Sequence, residues 1–597
     1  TFATVNAAAI KKKNPIGRIL GATAAAALLI ILLVVVYTRF IGRAGEEPES
    51  SMRKVAVLFF ENLGPSEDEY FANGITDAIT ARLAGIHGLG VISRQSTIQY
   101  KGSDKSIRDI GGELGADYIL EGTIQRERPG DPTSRVRIIP QLIRVSDDIH
   151  VWADTYDEDM TEVFRVQSNI AERVAHALDV TLLESEREEL GTVPTKNLEA
   201  YECYLRGNEY FSKHYNDEFT MMAVRMYERA TELDPGFAIA WAGLSKAYIW
   251  AFYSQYSTTP EWKSAAKTAL DKANALDPAS PDVQMASGYY YYYGNREFNR
   301  ALEYFEKARA SRPGDIEILN GIAFLKRRLN RWEEAAALLE KTADLNPRYF
   351  ASVMELGITY VMMRQYDRAE RQLDRALSLS PDDQTTWIFK ISRCLLKDGD
   401  TAKAKETLLE ASKFVHAPAK LGFEEHGYGL PRILPDTYAG LLDEVRPEEY
   451  GIQDTTLFHL GMAEMYHQLG MEEKARDYWE KVQARLGSSR SRIFQYDINL
   501  CLGLAYAGLG RNEEAVRLAR EAIAGDPLSI DAFLGTFSLE IAALIFVRAG
   551  QYDEAIDQLE TLLSVPSETS PAMYRVDPAW DPLRDNPRFR KLVEGER

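Results

Sequence analysis

The chain is 597 residues long, 45% hydrophobic and 27% charged, which is the composition of folded protein and too long for a single core. Its formal net charge is −19, and Lys and Arg are interspersed among acids along the helical region, which excludes the basic footprint of a nucleic-acid binder. The three cysteines, Cys203, Cys394 and Cys501, fall in separate predicted helices and read as small buried hydrophobes, not as a disulfide framework or a metal site.

Residues 1–18 carry Lys11, Lys12, Lys13 and Arg18 and precede an uncharged run. That run is Ile19–Tyr37 and continues into Phe40 and Ile41, so a span over 19–41 is long enough to cross a hydrocarbon core, which needs about 20 residues. It exceeds the roughly 7–15 apolar residues of a signal peptide, and 38–45 is a poor cleavage site, so an uncleaved transmembrane helix is expected. Four cations precede the span, against Arg39 and Arg43 followed by Glu46, Glu47 and Glu49. That asymmetry predicts a cytoplasmic N-terminus and an extracytoplasmic bulk, as in a single-pass bacterial inner-membrane protein with its mass in the periplasm. Residues 42–52 read as a polar tether. The chain starts at Thr1 instead of Met, the mark of processing or of an upstream part that is absent.

Residues 53–192 predict an α+β domain with a mixed sheet. The continuous apolar run 54–60 predicts a buried strand. An amphipathic helix over 68–84 follows, with Phe71, Ile75, Ile79 and Leu83 four apart. Next come a strand at 89–93, a short helix at 107–114 and strands at 117–125, 135–145 and 151–156. One long helix over 160–190 leads out. Pro140 marks 135–145 as an edge or bulged strand. The blocks Val55-Ala-Val-Leu-Phe-Phe-Glu-Asn-Leu63, Tyr70-Phe-Ala-Asn-Gly-Ile75, Val91-Ile-Ser-Arg94, Leu114-Gly-Ala-Asp-Tyr-Ile-Leu-Glu-Gly122 and His150-Val-Trp-Ala-Asp-Thr-Tyr-Asp157 come in this order. They resemble the TolB amino-terminal-like domain, which implies a non-enzymatic module for assembly or partner binding. The acids Asp147, Asp148, Asp154, Asp157, Glu158 and Asp159 lack a ligand loop with a turn-forming Gly and read as a solvated sheet edge. Gly85, Gly88 and Gly90 follow a helix and enter a strand, the reverse of a phosphate-binding turn.

The remainder repeats. In 353–381, Leu356, Gly357 and Tyr360 precede Tyr366, Ala369, Leu373, Ala376 and Pro381. Gly357 marks a close approach of two antiparallel helices, and Pro381 ends the second. This spacing resembles the tetratricopeptide repeat, with a period of about 34 residues. Six units are expected within 197–413: 201–235, 238–278, 282–313, 316–347, 353–381 and 383–413. A Gly- and Pro-rich insert occupies 414–456. Three more units, 457–486, 497–527 and 538–566, fill 457–566, and 567–597 caps the array. Stacked units imply an all-α, right-handed superhelix with an inner groove.

No His-Glu-x-x-His, Gly-x-Ser-x-Gly, P-loop or paired-Cys motif is present, and His459 and His467 are eight apart, too far for i, i+4 ligation. No catalytic, metal or cofactor residue is therefore expected. The repeat resemblance carries offsets from the first-helix Gly onto Tyr204, Asn208, Phe211, Lys246, Trp250, Tyr289, Tyr292, Asn320, Arg327, Met354 and Arg393 as groove residues. Tyr289–Tyr293 is an unbroken run of five tyrosines, and aromatics with interspersed Arg suit a protein anchor site. The competing reading packs these rings between helices. The functional expectation is a non-enzymatic, membrane-anchored extracytoplasmic scaffold or accessory subunit. It grips a protein of an envelope or membrane complex, touches the membrane through its own helix, binds no nucleic acid, and leaves homo-oligomerisation open. The alternative is the sensory half of a transmembrane regulator whose upstream kinase or winged-helix output domain is absent from this chain.

Overall fold

A computed structural model describes residues 52–594, apart from 129–130, 132–133, 214–215, 255–259, 416–420, 423–428, 442–454, 487–497 and 526. The expected membrane span, 19–41, lies outside the described residues. The single-pass inner-membrane placement is corrected: no helix among the described residues is long and apolar enough to cross a membrane.

The N-terminal region is α/β. Its seven described strands are β1 (Arg53–Val57), β2 (Glu61–Asn62), β3 (Leu89–Ile92), β4 (Tyr118–Arg126), β5 (Arg135–Arg144), β6 (Ile149–Ala153) and β7 (Tyr156–Asp159). The sheet order is β3-β1-β4-β5-β6, with β2 on β4 and β7 on β5. β1 and β2 run parallel to β4, while β5 is antiparallel to β4, β6 and β7. The apolar run at β1 is continuous because both its faces are covered. Val55 and Val57 point into a cluster with Phe71, Ile75 and Ile79, whereas Ala56 and Leu58 join Ile92, Ile110 and Leu114 on the other side.

Three expectations for this region change. β5 is an internal strand, not an edge, but the bulge half of the expectation holds, since its register with β6 shifts between Leu142 and Ile143. Pro140 is tolerated because it falls between the part of β5 paired with β6, which begins at Gln141, and the part paired with β7, which ends at Ile138. The closing strand is two short strands, β6 and β7. The long exit helix breaks: Val163–Ala177 ends at Leu178, Asp179 adopts a left-handed φ of 53°, and Glu184–Leu190 starts afresh.

Nine helix pairs follow among the described residues, numbered here as units 1 to 9. They are Leu198–Phe211 with Asp217–Leu233, Ala238–Tyr253 with Pro260–Leu276, Pro281–Tyr289 with Phe298–Ser311, Ile316–Arg328 with Trp332–Leu345, Phe350–Met362 with Tyr366–Leu379, Gln384–Asp398 with Thr401–Ala411, Thr456–Gln468 with Glu472–Leu486, Ile498–Gly508 with Asn512–Gly525, and Leu534–Arg548 with Tyr552–Ser564. Units 1 and 2, and units 3 and 4, stack by wedging one ring of a second helix between two glycines. A Cβ on Gly243 would meet the Tyr227 ring at 2.9 Å, and the same ring also faces Gly207. Phe305 sits in the same way between Gly288 and Gly321. In unit 3 the tyrosine run does not continue as α-helix: Tyr290–Asn295 forms a π-helical turn.

Both edges of this array are covered by other parts of the chain. On the edge formed by the loops between units lies the α/β region. Ser93 N donates to Leu345 O at 3.0 Å, Gly314 N to Ala84 O at 3.2 Å, and Lys54 pairs with Asp344 at 2.7 Å. On the edge formed by the turns within units lies the returning C-terminal part. Ala532 N donates to Arg328 O at 2.8 Å, Ser567 N to Met362 O at 3.0 Å, and Ser570 Oγ to Leu396 O at 2.5 Å. The C-terminal segment thus does more than cap unit 9: its Tyr574, Trp580 and Phe589 are buried, and it docks on units 5 and 6. Of the insert, the described part includes two short helices, Leu430–Ile433 and Pro435–Leu441.

Candidate functional site

The first helices of units 1 to 3 bring a shelf of aromatic side chains together. Their order in space follows from the repeat, since each unit presents the same helical positions to the inner face. Trp250 and Tyr253 of unit 2 meet Tyr293 of unit 3 at centroid distances of 5.6 and 4.3 Å. Tyr289 and Tyr293, four apart, stack with planes 1° from parallel at 5.7 Å. Tyr289 also meets Phe305 edge-on at 5.0 Å. Lys246 lies over the rings of Phe211 at 5.7 Å and Tyr289 at 5.3 Å, and pairs with Glu317 at 2.5 Å. Burial, with the neighbouring Glu317 carboxylate, drives the Tyr289 hydroxyl well above its usual range, so it stays protonated. Phe211, Trp250, Tyr253, Tyr289 and Tyr293 are all half-buried.

The other expected groove residues fall elsewhere. Tyr204 packs on Tyr227 and Phe237, and Asn208 Oδ1 accepts from the Tyr227 hydroxyl at 2.7 Å. Tyr292 is buried, its hydroxyl accepting from Arg328 Nε at 3.3 Å. Arg327 is buried, paired with Glu355 at 2.9 Å and sandwiched against Phe324 and Phe533 at 4.8 and 4.9 Å. Arg393 is buried on Glu370 at 2.7 Å. Met354 packs half-buried against the largest core cluster, and Asn320 is half-buried with no partner for its buried Oδ1 among the described residues. Phe211, Lys246, Trp250 and Tyr289 of units 1 to 3 therefore stay half-buried together, while Arg327 and Arg393 of units 4 and 6 are buried in ion pairs.

Tyr253, Tyr293 and Glu317 were not among the expected groove residues. The signal for the first two was their aromatic neighbourhood; Glu317 had none. The acidic residues of β7 are likewise tied: Asp157 pairs with Arg135 at 3.1 Å and Arg137 at 2.5 Å, and those partners hold its carboxyl below the usual range. Among the described residues, no group of three or more His, Cys, Asp or Glu is placed to hold a metal.

Fold and inner face together define a helical-repeat array of the kind that binds proteins. Family models described as tetratricopeptide repeat match residues 292–356, 326–387 and 500–525, and the chain carries tetratricopeptide repeats. It is 35% identical over 242 residues, 40% of this chain, to "Putative adenylate cyclase 3" of Rhizobium meliloti (strain 1021). The chain spans 40% of that relative's length. It is 23% identical over 349 residues, 52% of this chain and 78% of the other, to "TPR repeat-containing protein YpiA" of Bacillus subtilis (strain 168). Among solved structures, Pseudomonas aeruginosa pilF is 18% identical with a TM-score of 0.29, covering 42% of this chain and 100% of that one.

Proposed function

We propose that the chain is a non-enzymatic scaffold that holds a partner protein on the aromatic shelf of units 1 to 3. The observation that carries this reading is the half-buried cluster of Phe211, Trp250, Tyr253, Tyr289 and Tyr293, clamped by the Lys246–Glu317 pair. Tyr and Trp offer large contact area at low entropic cost, and anchors of this kind dominate interface energetics. On this reading the α/β region is a TolB amino-terminal-like module, its five resembling blocks falling on β1 and β2, the helix Glu69–Ala84, β3, β4, and β6 with β7, and it braces the first four units.

The test is affinity isolation of the tagged chain with a Trp250→Ala, Tyr289→Ala double variant beside it. The variant should lose co-purifying partners while keeping its helicity by circular dichroism. Equal recovery of the same partners by both forms rejects the shelf; a collapse of helicity assigns the rings to the core.

A second reading follows from the relative named a putative adenylate cyclase. The chain would then be the receiving region of a signalling protein whose output lies in a different part of such a protein. Absence of cyclic AMP production from ATP by the purified chain fits both readings, and robust turnover would overturn the non-enzymatic one.

A further inference from the structure

A cavity of about 700 Å³ lies between the α/β region and the first three units. This volume is in the range of small-molecule sites. One wall is the helix Glu69–Ala84, and the opposite wall is the first helix of unit 1 with the loops that follow units 1 to 3. Leu205, Ile239 and the rings of Tyr201 and Tyr204 supply apolar surface.

The charges around it are lopsided. Five carboxylates, Asp77, Glu186, Glu189, Asp277 and Asp282, line the space against two guanidinium groups, Arg82 and Arg312. Both cations are held by the protein. Arg82 donates to Leu190 O at 2.7 Å and Thr192 O at 3.3 Å, and Arg312 grips Asp282 through two hydrogen bonds of 3.1 and 2.7 Å. Burial alone would raise the Asp282 carboxyl, but Arg312 holds it below its usual value, so this pair stays ionised. Four of the five carboxylates are engaged as well: Asp282 by Arg312, Asp77 by Arg94 at 2.8 Å, and Glu186 by the His87 and Leu183 amides and the His87 ring at 2.7 Å each. Asp277 accepts from the Ala279 and Ser280 amides at 3.2 and 3.1 Å. Glu189 is different. Its nearest ion-pair contact is the already engaged Arg312, at 3.6 Å, and its side chain is 39% exposed.

We infer that this cavity binds a small organic cation, a primary ammonium or guanidinium group on an apolar stem, with Glu189 as its anchoring carboxylate. The cationic head meets Glu189 and Asp277 where Arg312 is paired with Asp282 and Arg82 is held in place by the Leu190 and Thr192 carbonyls, and the stem lies along Tyr204 and Ile239. Aromatic faces add to the attraction for the head. An anion would face five carboxylates against two guanidinium groups, one of them already committed to Asp282. Burial, with Glu209 adding and Arg94 and Lys101 opposing, pushes the Asp77 carboxyl up to about 6, so the cavity gains negative charge as pH rises through that value, and cation binding should strengthen in the same window. The inference rests on the cavity alone and stands whether or not the aromatic shelf holds a protein.

The chemistry fits a free amine or an Arg or Lys side chain of a peptide. Calorimetric titration of the full chain with agmatine, with spermidine and with acetyl-Gly-Arg-Gly-amide separates the two. Tighter binding of agmatine or spermidine assigns a free ligand, and tighter binding of the peptide assigns a side chain. Glu189→Gln should weaken whichever binds by about tenfold or more. Ala81→Phe, which fills the cavity from the Glu69–Ala84 wall, should abolish binding. Melting temperatures of both variants without ligand check that they fold. The inference is overturned if none of the three cations binds saturably at millimolar concentration, if Ala81→Phe binds as well as the parent, or if inorganic phosphate binds in their place.

Discussion

The turn inside each repeat unit offers a sharp test of how the array is closed. From unit 3 onward, one residue of each turn is left-handed: Arg296, Asn330, Arg364, Gly399, Gly470, Gly510 and Gly550, with φ between 57° and 80°. Glycine takes this conformation freely, whereas a residue with a Cβ is strained there by about 1 kcal/mol. Arg364 accepts that strain and uses its guanidinium to hold the returning chain. It donates to Leu562 O, Val565 O and Ser567 Oγ at 2.9 Å each and to Thr569 O at 3.1 Å. Taking about 1 kcal/mol for each of the three carbonyls left without this donor, Arg364→Ala should loosen the segment by about 3 kcal/mol. Arg364→Gly loses the same bonds but relaxes the backbone, so its loss should be about 2 kcal/mol. A chain of this size does not unfold in one step, so the assay is local amide exchange over residues 562–577 and not a global midpoint. The reasoning fails if both variants exchange within about 0.5 kcal/mol of the parent, the range of an ordinary surface substitution. It also fails if the glycine variant opens as readily as the alanine one.

Three further outcomes are expected. Arg432 is fully buried, bonded to Asp577 at 2.9 and 2.7 Å with Glu464 at 3.8 Å; Arg548 still holds Glu464, so Arg432→Met leaves the buried Asp577 carboxylate without its cation and should cost about 3–5 kcal/mol in local amide exchange over residues 571–583, and a cost below about 1 kcal/mol refutes the pairing. Gly321→Ala drives a methyl into the Phe305 ring, and the overpacking of about 1–3 kcal/mol outweighs the helix-propensity gain of about 1 kcal/mol; Phe305→Leu in the same chain should restore part of the loss, and a stabilised single variant contradicts the wedge. Burial pushes the Glu540 carboxyl up to about 8, with Arg432 opposing and Glu568 and Asp577 adding to the rise. A carboxyl raised on folding stabilises fully at low pH, and that contribution fades as pH climbs from the ordinary glutamate range through 8, at up to about 1.4 kcal/mol per pH unit. Glu540→Gln should therefore flatten the stability profile between about pH 5 and 8, and an unchanged slope removes Glu540 as its source.

The pairing of helices was legible in the sequence because each unit forms most of its core from residues close in the chain. The spacing of Gly357, Ala369, Leu373 and Ala376 reports a contact that is already complete within one unit. The β1 run was legible for a related reason: where a strand is covered on both faces, as at Val55–Val57, its residues read as an unbroken apolar run. What escaped depended on partners far away in sequence. Pro140 signals an edge only if its missing N–H must face solvent; here it faces a gap between β6 and β7 that a single strand cannot reveal. The helix break at Asp179 has no glycine or proline to announce it. Groove positions were chosen by offset within a unit, and offset is blind to Phe533 lying on Arg327 or to Asp531 binding Arg328 from 203 residues away. The turns themselves carry a signal of closure. Where later units carry glycine in the turn, units 3 and 5 carry arginine, and both arginines reach the returning chain.

Closure bears on binding as well as on stability. The α/β region fixes the edge between units, and the C-terminal return fixes the turns of units 3 to 6, so neighbouring units cannot rotate freely against each other. The shelf depends on that constraint, because Trp250 and Tyr253 stand on one unit and Tyr289 and Tyr293 on the next. A partner meeting a pre-set pair of units loses less conformational entropy than one that must order them. The arginine that is strained in the turn of unit 5 therefore has a cost in local backbone energy and a return in the geometry of a surface it does not touch. Arg364→Ala should weaken partner capture on the shelf even though every shelf residue is intact, while Arg588→Ala, at the far end of the array on Asp557 and Glu560, should leave it unchanged. Equal capture by Arg364→Ala and the parent would mean that units 1 to 3 hold their own curvature and that the return serves stability alone.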